Sequence, residues 1–558
     1  MNYVSEYLAH KQAVAFKQQE RQDRIDRLPS HYHTAVTSSE LSILNQSIAN
    51  TVRQVHSGTL DPSDVLLAYS KKALKAHAAT NCLTEVMIDT ATKSWVKESN
   101  SQGPLAGIPV SLKDQTTVEG YDACIGYSAW TNKPMPEDGP LVRMLKDAGA
   151  VPYVKTNVPI TLLSFESYND VFGRTLNPHN KDYSPGGSSG GEGALLAYGG
   201  SRFGMGTDVG GSLRCPAHYC GVYTIKSSMG RMVRTGAVTS VPGLIGVPAV
   251  YSPMTRTLDD LETVWRGLMS MKPWEYDYSC IPLPWREVDL SDKKLKFGVI
   301  WDDGVAKPSP ACRRALEIVV NTLKADGHTV VDINPPSPYE GFKIGLQLLL
   351  ADACKILSKP MRPGESNDAS LTIVSRILNM SWLTRRLYVW YLRYLLRDEH
   401  EAGLIESLHA KTIEQFYAQI VNRETYRFKW FQFWKEQELD FVLCVPNALP
   451  AVPHGGPRTG WKTTLGTMIY NVLDYTAGVM PITKVDRTLD TVPKPTPRNT
   501  IEREAYAMYD ADSMHGLPVG VQLVGQKLEE EKVLEGMKLI ARLLRKSGLG
   551  YEVLETKD

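Results

Sequence analysis

The sequence GTDVGGSLR, residues 206–214, carries the strongest information about the fold and chemistry of this 558-residue chain. Glycines directly before a serine let the backbone fold tightly and direct several N–H groups into one concavity. Such a concavity suits an oxyanion, so we expect Ser212 to be a nucleophile. The N–H groups of Val209, Gly210, Gly211 and Ser212 would then stabilise the charge that develops during attack. For this segment alone, a plain glycine turn or a phosphate-binding nest are the alternatives.

Another serine turn, SPGGSSGGEG, lies earlier in the chain, at residues 184–193; in chain order it is the first serine turn and residues 206–214 are the second. Its G-x-S-x-G core around Ser188 matches the nucleophile elbow of α/β-hydrolases, which needs a preceding strand and a supporting histidine. The preceding residues RTLNPHNKDYSP indicate a loop, and His218, His328 and His515 downstream lie in no supporting motif. We therefore predict that Ser188 is a relay hydroxyl and that Ser212 attacks.

A lysine completes the set. Lys113 ends the apolar stretch of GIPVSLKDQ, residues 107–115, so a strand should carry its side chain inward. Burial lowers the pKa of an ammonium group, and a neutral lysine beside a serine hydroxyl is a competent general base. A single lysine is more often a surface residue at a strand end; only its combination with the two serine turns favours catalysis.

Composition excludes several classes of protein. The formal net charge is +1, which gives no electrostatic reason to expect a nucleic-acid partner. The eight cysteines contain no C-x-x-C pair, and the N-terminus has no signal-peptide pattern, so reduced thiols in a cytoplasmic protein are expected. Prolines interrupt the long uncharged run at 235–255, which makes a membrane-spanning helix there unfavourable.

Alternating strands and helices indicate an α/β fold. The segments KFGVIW (296–301) and HTVVDI (328–333) are predicted strands on either side of a helix at 311–326. PVGVQLVG (518–525) is another strand, followed by a C-terminal helix. This alternation predicts a largely buried sheet.

The motifs LKDQ, SPGGSSGGEGALL and GMGTDVGGSLRCPA together resemble the amidase signature family. Similar sequence continues through NVLDYTAGVMPIT (471–483) and HGLPVGVQLVG (515–525), so that the resemblance spans roughly residues 60–550. Within the family the pattern is most similar to fungal acetamidase-type enzymes and fatty acid amide hydrolases. One departure is TIKSS at 224–228, where the family often has G-L-K-P-[ST]. It leaves the catalytic positions intact.

The resemblance implies a large mixed sheet surrounded by helices and a Ser-cisSer-Lys triad of Ser212, Ser188 and Lys113. It implies a cis peptide at Gly187–Ser188, an acyl-enzyme, and neither a metal nor a cofactor. Three further residues are expected to support the two turns, namely Ser189, Asp208 and Arg214. For domains, we expect an N-terminal helical extension at 1–60 packed on a single domain at 61–558, with a helical cap at about 368–400.

The cap region, residues 370–397, has five arginines, five tryptophans or tyrosines, and no acidic residue. A basic, aromatic-rich amphipathic helix can lie in a membrane interface. It is similar in character and position to the cap by which fatty acid amide hydrolases contact membranes. The alternative is a helix that covers the active-site mouth or forms a dimer contact.

This region divides the substrate hypotheses. A lipid-facing cap favours fatty acyl amides and a peripheral location on an intracellular membrane, whereas a cap packed in protein favours small aliphatic or aryl amides. The sequence does not decide whether the protein forms a homodimer. Two other classes are a glutamyl-tRNA amidotransferase A-like subunit, which would need partner subunits, and a catalytically silent binding protein. The fungal-like flanks and the cap disfavour the first, and intact Lys113, Ser188 and Ser212 disfavour the second.

Overall fold

The computed structural model describes residues 3–491 and 496–556, so the outer ends of the predicted units, at residues 1 and 558, lie outside it. The molecule is built on an eleven-stranded mixed sheet, and a two-stranded hairpin lies apart from it. The predicted α/β class, with a large mixed sheet surrounded by helices, is confirmed.

The strands are β1 Leu83–Val86, β2 Pro109–Lys113, β3 Val151–Thr156, β4 Tyr168–Asn169, β5 Gly173–Arg174, β6 Phe203–Asp208, β7 Tyr223–Lys226, β8 Val250–Thr255, β9 Lys296–Val299, β10 Thr329–Asp332, β11 Phe441–Cys444, β12 Ala477–Lys484 and β13 Pro518–Val524. The order in the large sheet is β1-β3-β2-β6-β8-β7-β12-β13-β11-β9-β10. The predicted strands at 296–301 and 328–333 are β9 and β10, which pair in parallel as expected for a crossover through a helix.

The α-helices are α1 Tyr3–Asp26, α2 Ser38–Leu44, α3 Ile48–His56, α4 Pro62–Thr80, α5 Ile88–Thr90, α6 Val96–Glu98, α7 Pro140–Asp147, α8 Gly190–Tyr198, α9 Arg214–Cys220, α10 Leu258–Ser270, α11 Pro310–Ala325, α12 Pro338–Leu349, α13 Lys355–Ser358, α14 Ala369–Leu378, α15 Trp382–Trp390, α16 Glu399–Ser407, α17 Ile413–Glu436, α18 Pro457–Gly460, α19 Leu465–Leu473, α20 Thr500–Ala507 and α21 Glu530–Lys546. Every residue of β2, β3, β6 and β13 is buried. Strands buried on both faces need a helical layer on each side, which these helices supply.

Two parallel neighbours, third and fourth in the order of the large sheet, position the site. Strand β2 ends at Lys113 and β6 ends at Asp208, and the two strands pair in parallel, with Leu112 opposite Met205. Because carboxyl ends of parallel strands meet at one edge, both motifs emerge side by side. The serine turns then open α8 and α9 directly.

Close backbone approach explains the glycines of the first serine turn. Gly186 has a φ of +86°, and a Cβ on it would lie 2.9 Å from the Pro216 backbone in α9. A Cβ on Gly191 would lie 2.4 Å from the Asn157 amide nitrogen. Neither site has room for a side chain, so this segment packs directly on α9 and on the residue that follows β3.

The N-terminal helix α1 lies against the body through a buried cation. The Lys17 ammonium contacts Glu20 at 2.6 Å and Asp122 at 2.8 Å, and it also pairs with Glu85. Glu85 and Asp122 belong to the body of the molecule, and both are buried. Burial alone would lower the pKa of Lys17, but the surrounding carboxylates outweigh burial and raise it.

The segment 370–397 is not one continuous amphipathic helix as the sequence analysis assumed. It forms α14 and α15, with a break at 379–381, and a π-helical turn at Tyr391–Leu395. The break is stabilised on both sides: the Ser381 side chain accepts from the Thr384 amide, and Arg385 donates to the Ile377 carbonyl at the end of α14. Side-chain capping of this kind ends helices locally and is hard to extract from a uniformly helical pattern.

Candidate active site

Lys113 is fully buried at the end of β2. Its Nζ lies 2.7 Å from Ser188 Oγ and 2.8 Å from Thr207 Oγ1. Burial lowers the pKa of Lys113 to about 7, although the charges of Asp208 and Glu192 act in the opposite direction. The side chain therefore has a substantial neutral fraction near neutral pH, as a general base requires.

The turn that carries Ser188 is joined to the turn that carries Ser212. The Gly187–Ser188 peptide is cis, in agreement with the implication of the resemblance. The next residue, Ser189, donates its amide N–H to the Ser212 carbonyl at 3.1 Å. Its side chain lies 3.4 Å from both the amide and the carbonyl of Thr207. Ser189 thus contacts the backbone of both neighbouring elements.

Ser212 lines a cavity and is 6% exposed. Across the described parts of the chain its hydroxyl has no hydrogen-bond partner, and the contact expected with Ser188 Oγ is not formed. The structure therefore brings Lys113 and Ser188 into contact and leaves the Ser212 hydroxyl facing open space. An unbound site commonly has such a looser arrangement, which tightens when substrate binds.

Asp208 and Arg214 form a buried ion pair behind the second serine turn. Arg214 donates from Nε and Nη2 to the two Asp208 oxygens, each at 3.0 Å. Asn471 donates to the same carboxylate at 2.9 Å. Burial alone would raise the pKa of Asp208, but the Arg214 charge and these hydrogen bonds outweigh it and hold the pKa well below its usual range.

The same carboxylate fixes the predicted oxyanion segment. Asp208 accepts from the N–H of Gly211 at 2.8 Å and from that of Leu213 at 3.1 Å. The Gly210 carbonyl accepts from Thr467 Oγ1 at 2.8 Å, so the Gly210–Gly211 peptide is held from both sides. Of the four predicted donors, Gly211 is thus engaged with Asp208; its role as an oxyanion donor, like that of Val209, stays a prediction.

Three residues near Lys113 were not assigned by the sequence analysis. Thr207 and Gln115 form a hydrogen-bonded chain behind the lysine, with Thr207 Oγ1 donating to Gln115 Oε1 at 2.8 Å. Glu192 is fully buried and accepts from Ser111 at 2.6 Å and Thr156 at 2.9 Å. Burial raises its pKa to about 7 against these hydrogen bonds. Thr207, Gln115 and Glu192 all lie within the quoted motifs. A single sequence, however, does not identify a side chain that acts through another residue of the site.

The elbow alternative for Ser188 finds no support in the histidines. Ser188 follows a loop and contacts Lys113, whereas the three downstream histidines are engaged elsewhere. Each accepts a backbone N–H at Nδ1: His218 from Gly520, His328 from Leu295 and His515 from Arg487. They therefore have structural roles in this fold.

The cavity in front of Ser212 has a volume of about 80 Å³, and its lining is almost entirely apolar. Helices α12, α14 and α19 and the loop at 162–165 form its walls. Helix α12 contributes Leu346 and Leu349 to the lining, the next residue contributes Leu350, and α14 contributes Leu371 and Val374. Its shape suits a hydrophobic substituent next to the nucleophile.

Beyond the cavity, the cap presents apolar side chains on its outer surface. Trp382 is 69% exposed and Leu387 is 60% exposed, and Trp390, Tyr391, Tyr394 and Leu395 are exposed as well. Arg386 stacks over Trp382, whereas Arg393 is paired with Glu399 and Glu406. In the described residues no helix is both long and apolar enough to cross a membrane. The first half of the cap, α14, thus lines the cavity, and the second half exposes a large apolar surface.

Comparison with known proteins agrees with this geometry. A family model described as Amidase matches residues 64–534. An acetamidase of Aspergillus oryzae is 33% identical, covering 91% of this chain and 91% of that protein. Fatty-acid amide hydrolase 1 of Sus scrofa is 34% identical, covering 90% of this chain and 86% of that protein. A solved structure of a fatty acid amide hydrolase has a TM-score of 0.83 at 29% identity, covering 98% and 99% of the two chains. The chain therefore belongs to the amidase family and is an amide hydrolase.

Proposed function

We propose that this amide hydrolase acts through Ser212, Ser188 and Lys113. Neutral Lys113 accepts the Ser188 proton while Ser188 accepts the Ser212 proton, and Ser212 Oγ attacks the amide carbonyl. When the tetrahedral intermediate collapses, the proton on Lys113 returns through Ser188 to the leaving nitrogen and the C–N bond breaks. Water then hydrolyses the acyl-enzyme by the same proton path.

The contact between Lys113 and a serine hydroxyl, in a buried setting that favours the neutral amine, is the observation that carries this proposal. The mechanism requires the hydroxyls of Ser188 and Ser212 to come within hydrogen-bond distance in the substrate complex. The oxyanion would be bound by the N–H groups of Val209, Gly210 and Ser212, since the fourth predicted donor, the Gly211 N–H, is donated to Asp208. Removal of one such donor typically costs about 3 kcal/mol of transition-state stabilisation.

A serine-directed fluorophosphonate tests the assignment of roles. We expect stoichiometric labelling of the wild-type protein, no labelling of Ser212→Ala, and slowed labelling of Ser188→Ala and Lys113→Ala. Ser57→Ala, on an exposed turn, is the control and should react like wild type. Labelling that persists in Ser212→Ala would show that another residue is the nucleophile.

For the substrate we propose amides with a hydrophobic or fatty acyl group. The apolar cavity at Ser212 supports this, because it offers an alkyl chain a dry wall and offers a small polar amide few partners. The similarity to a fatty-acid amide hydrolase is in line with this choice. The comparable similarity to an acetamidase supports small aliphatic or aryl amides as the second candidate.

Primary amides of increasing acyl length separate the two candidates. If the first is right, kcat/KM should rise with each pair of methylenes until the cavity is filled, since each buried methylene contributes about 0.8 kcal/mol. A kcat/KM that is highest for acetamide would favour the second. Turnover by the purified chain alone would also exclude a glutamyl-tRNA amidotransferase A-like role that depends on partner subunits.

We further propose that the exposed side of the cap contacts a membrane surface. Trp382, Leu387 and Trp390 form an apolar patch next to Arg386, the arrangement expected of an interfacial helix. The same cap contributes α14 to the cavity, so a lipid amide could pass from the bilayer to Ser212. A dimer contact on this patch is the alternative.

Vesicle sedimentation tests this contact. Replacing Trp382, Leu387 and Trp390 with serine should release the protein from phosphatidylcholine–phosphatidylserine vesicles without a change in soluble-substrate turnover. Tyr278→Ser removes an aromatic that is 92% exposed elsewhere and is the matched control. Unchanged vesicle binding by the triple variant would contradict a membrane role, and a change in oligomeric state would point to the dimer.

A further inference from the structure

Gln115 lies two residues beyond Lys113 and is buried behind it. Its side-chain amide connects two elements: Oε1 accepts from Thr207 Oγ1 at 2.8 Å, and Nε2 donates to Tyr251 OH at 3.0 Å and towards the Val238 carbonyl at 3.5 Å. Thr207 in turn lies 2.8 Å from Lys113 Nζ. A continuous hydrogen-bonded chain therefore runs from β8 to the lysine.

The hydrogen bonds in this chain have a fixed direction, because the group at one end can only accept a hydrogen bond. The Val238 carbonyl has no proton, so the amide must present Nε2 to it and Oε1 to Thr207. The Thr207 hydroxyl then donates its single proton to the hydrogen bond with Gln115. Towards Lys113 it has only lone pairs left, and the lysine must donate an N–H to it.

This direction decides where the lone pair of a neutral lysine can lie. An amine that donates to Thr207 keeps its lone pair free for the hydroxyl proton of Ser188, 2.7 Å away. With the amide reversed, Thr207 would accept from Gln115 and aim its own proton at Lys113. The lone pair of Lys113 would then accept the Thr207 proton and would not be available to the Ser188 hydroxyl.

We propose that Gln115 is a positioning residue that, through Thr207, holds the lone pair of Lys113 towards Ser188. The proposal rests on Lys113 acting as the base, as set out under the proposed function. Gln115 touches neither Ser188 nor Ser212 in the described hydrogen bonds, so its effect on the reaction passes through Thr207 alone. The Val238 carbonyl, which can only accept, keeps the amide from reversing.

Gln115→Met removes the acceptor while nearly preserving side-chain volume. We expect kcat to fall about tenfold, the loss of one oriented hydrogen bond, with KM unchanged. Thr207→Val should lower kcat to a similar extent. Because both residues act in one chain, the double variant should be no slower than Thr207→Val.

Gln115→Glu gives an independent readout. It keeps an acceptor for Thr207 but adds a negative charge near Lys113, on which the charges of Asp208 and Glu192 already act. The ammonium form is stabilised, so the acidic limb of the kcat profile should move to higher pH, with kcat above that limb close to wild type. Among the described residues, Tyr251 is the other titratable group that hydrogen-bonds this side chain.

Thr116→Val is the matched control, since the Thr116 hydroxyl is buried next to Gln115 without a hydrogen-bond partner among the described residues. It should leave kcat unchanged. Additive losses in the double variant, or an unchanged kcat in Gln115→Met, would overturn the proposal. A Lys113→Ala variant that keeps full activity would instead overturn the proposed function, so the two failures are distinguishable.

Discussion

Asp208 and Arg214 form a fully buried ion pair whose nitrogen and oxygen lie 3.0 Å apart. It connects the end of β6 to the first residue of α9 and so holds the Ser212 turn between them. Arg214 also donates to the Thr467 carbonyl and to Gln522 and Asn471. The pair therefore fixes the nucleophile turn relative to both β13 and α19.

Arg214→Met should be strongly destabilising. It leaves the Asp208 carboxylate buried without its cation, which typically costs about 3–5 kcal/mol. Since Asp208 holds the amides of Gly211 and Leu213, kcat should fall as well. Denaturant unfolding and initial rates measure the two effects. Arg214→Lys is the control and should recover part of the stability but little of kcat, because a lysine cannot make the two-pronged contact. If the unfolding free energies of Arg214→Met and the wild type lie within about 1 kcal/mol of each other, Arg214 does not have this role.

The pH dependence should follow Lys113. Its pKa is lowered to about 7 by burial, and the neutral amine is the active form, so kcat/KM should rise with pH through about 7. The negative charge of Glu192 raises that pKa, so Glu192→Gln should move the acidic limb to lower pH. Glu40→Gln, which removes a carboxylate bonded to Lys71, should leave the limb in place. A limb that moves upward in Glu192→Gln would contradict this electrostatic account.

Lys113 should also reduce stability near neutral pH. Burial holds its folded-state pKa near 7, below the ordinary 10.5. Between these values the unfolded chain binds a proton that the folded chain does not, so the free energy of unfolding rises with pH across this window. Lys113→Met removes this dependence. We expect the variant to be inactive and to exceed the wild type in Tm more at pH 7.5 than at pH 9.5. An equal Tm difference at both values would indicate that Lys113 is not desolvated as described.

The sequence permitted prediction of the elements that bear long, strongly patterned signals. Strands β9, β10 and β13 follow from apolar runs bounded by turn residues, and the Lys113, Ser188 and Ser212 motifs are short and contiguous. Glu192 could not be assigned, because it lies on α8 and its partners Ser111 and Thr156 lie on β2 and β3. Their proximity depends on strand order, which a single sequence does not encode locally.

The cap shows a second kind of limit. The pattern at 370–397 is uniformly helical, yet Ser381 and Arg385 together end one helix and start the next. A polar side chain that satisfies a free backbone group outweighs propensity at such a point. Exposure also differs along the cap: Leu371 lines the cavity, whereas Leu387 faces solvent.

Lys17→Met should loosen the N-terminal helix. The change leaves the buried Asp122 carboxylate without its Lys17 partner, at a cost of about 3–5 kcal/mol, and leaves Glu85 paired with Arg24. Limited proteolysis should then cut the chain between α1 and α2 before it cuts elsewhere, at a rate well above that of the wild type. Lys11→Met, on the exposed side of the same helix, is the control and should resist proteolysis like wild type. Equal cleavage of the two variants would mean that α1 is held by other contacts.

Val374→Trp should separate long from short substrates. Val374 lies on α14, in the part of the cavity wall that the cap contributes, whereas Ser212 lies at the catalytic end. An indole there shortens the space for an acyl chain and leaves the region around Ser212 unchanged. We expect kcat/KM to fall about tenfold or more for a long-chain amide and about twofold or less for acetamide. Arg376→Trp adds the same group to the exposed side of α14 and should affect neither substrate. If Val374→Trp lowers kcat/KM equally for the long-chain amide and for acetamide, the acyl chain does not extend towards the cap.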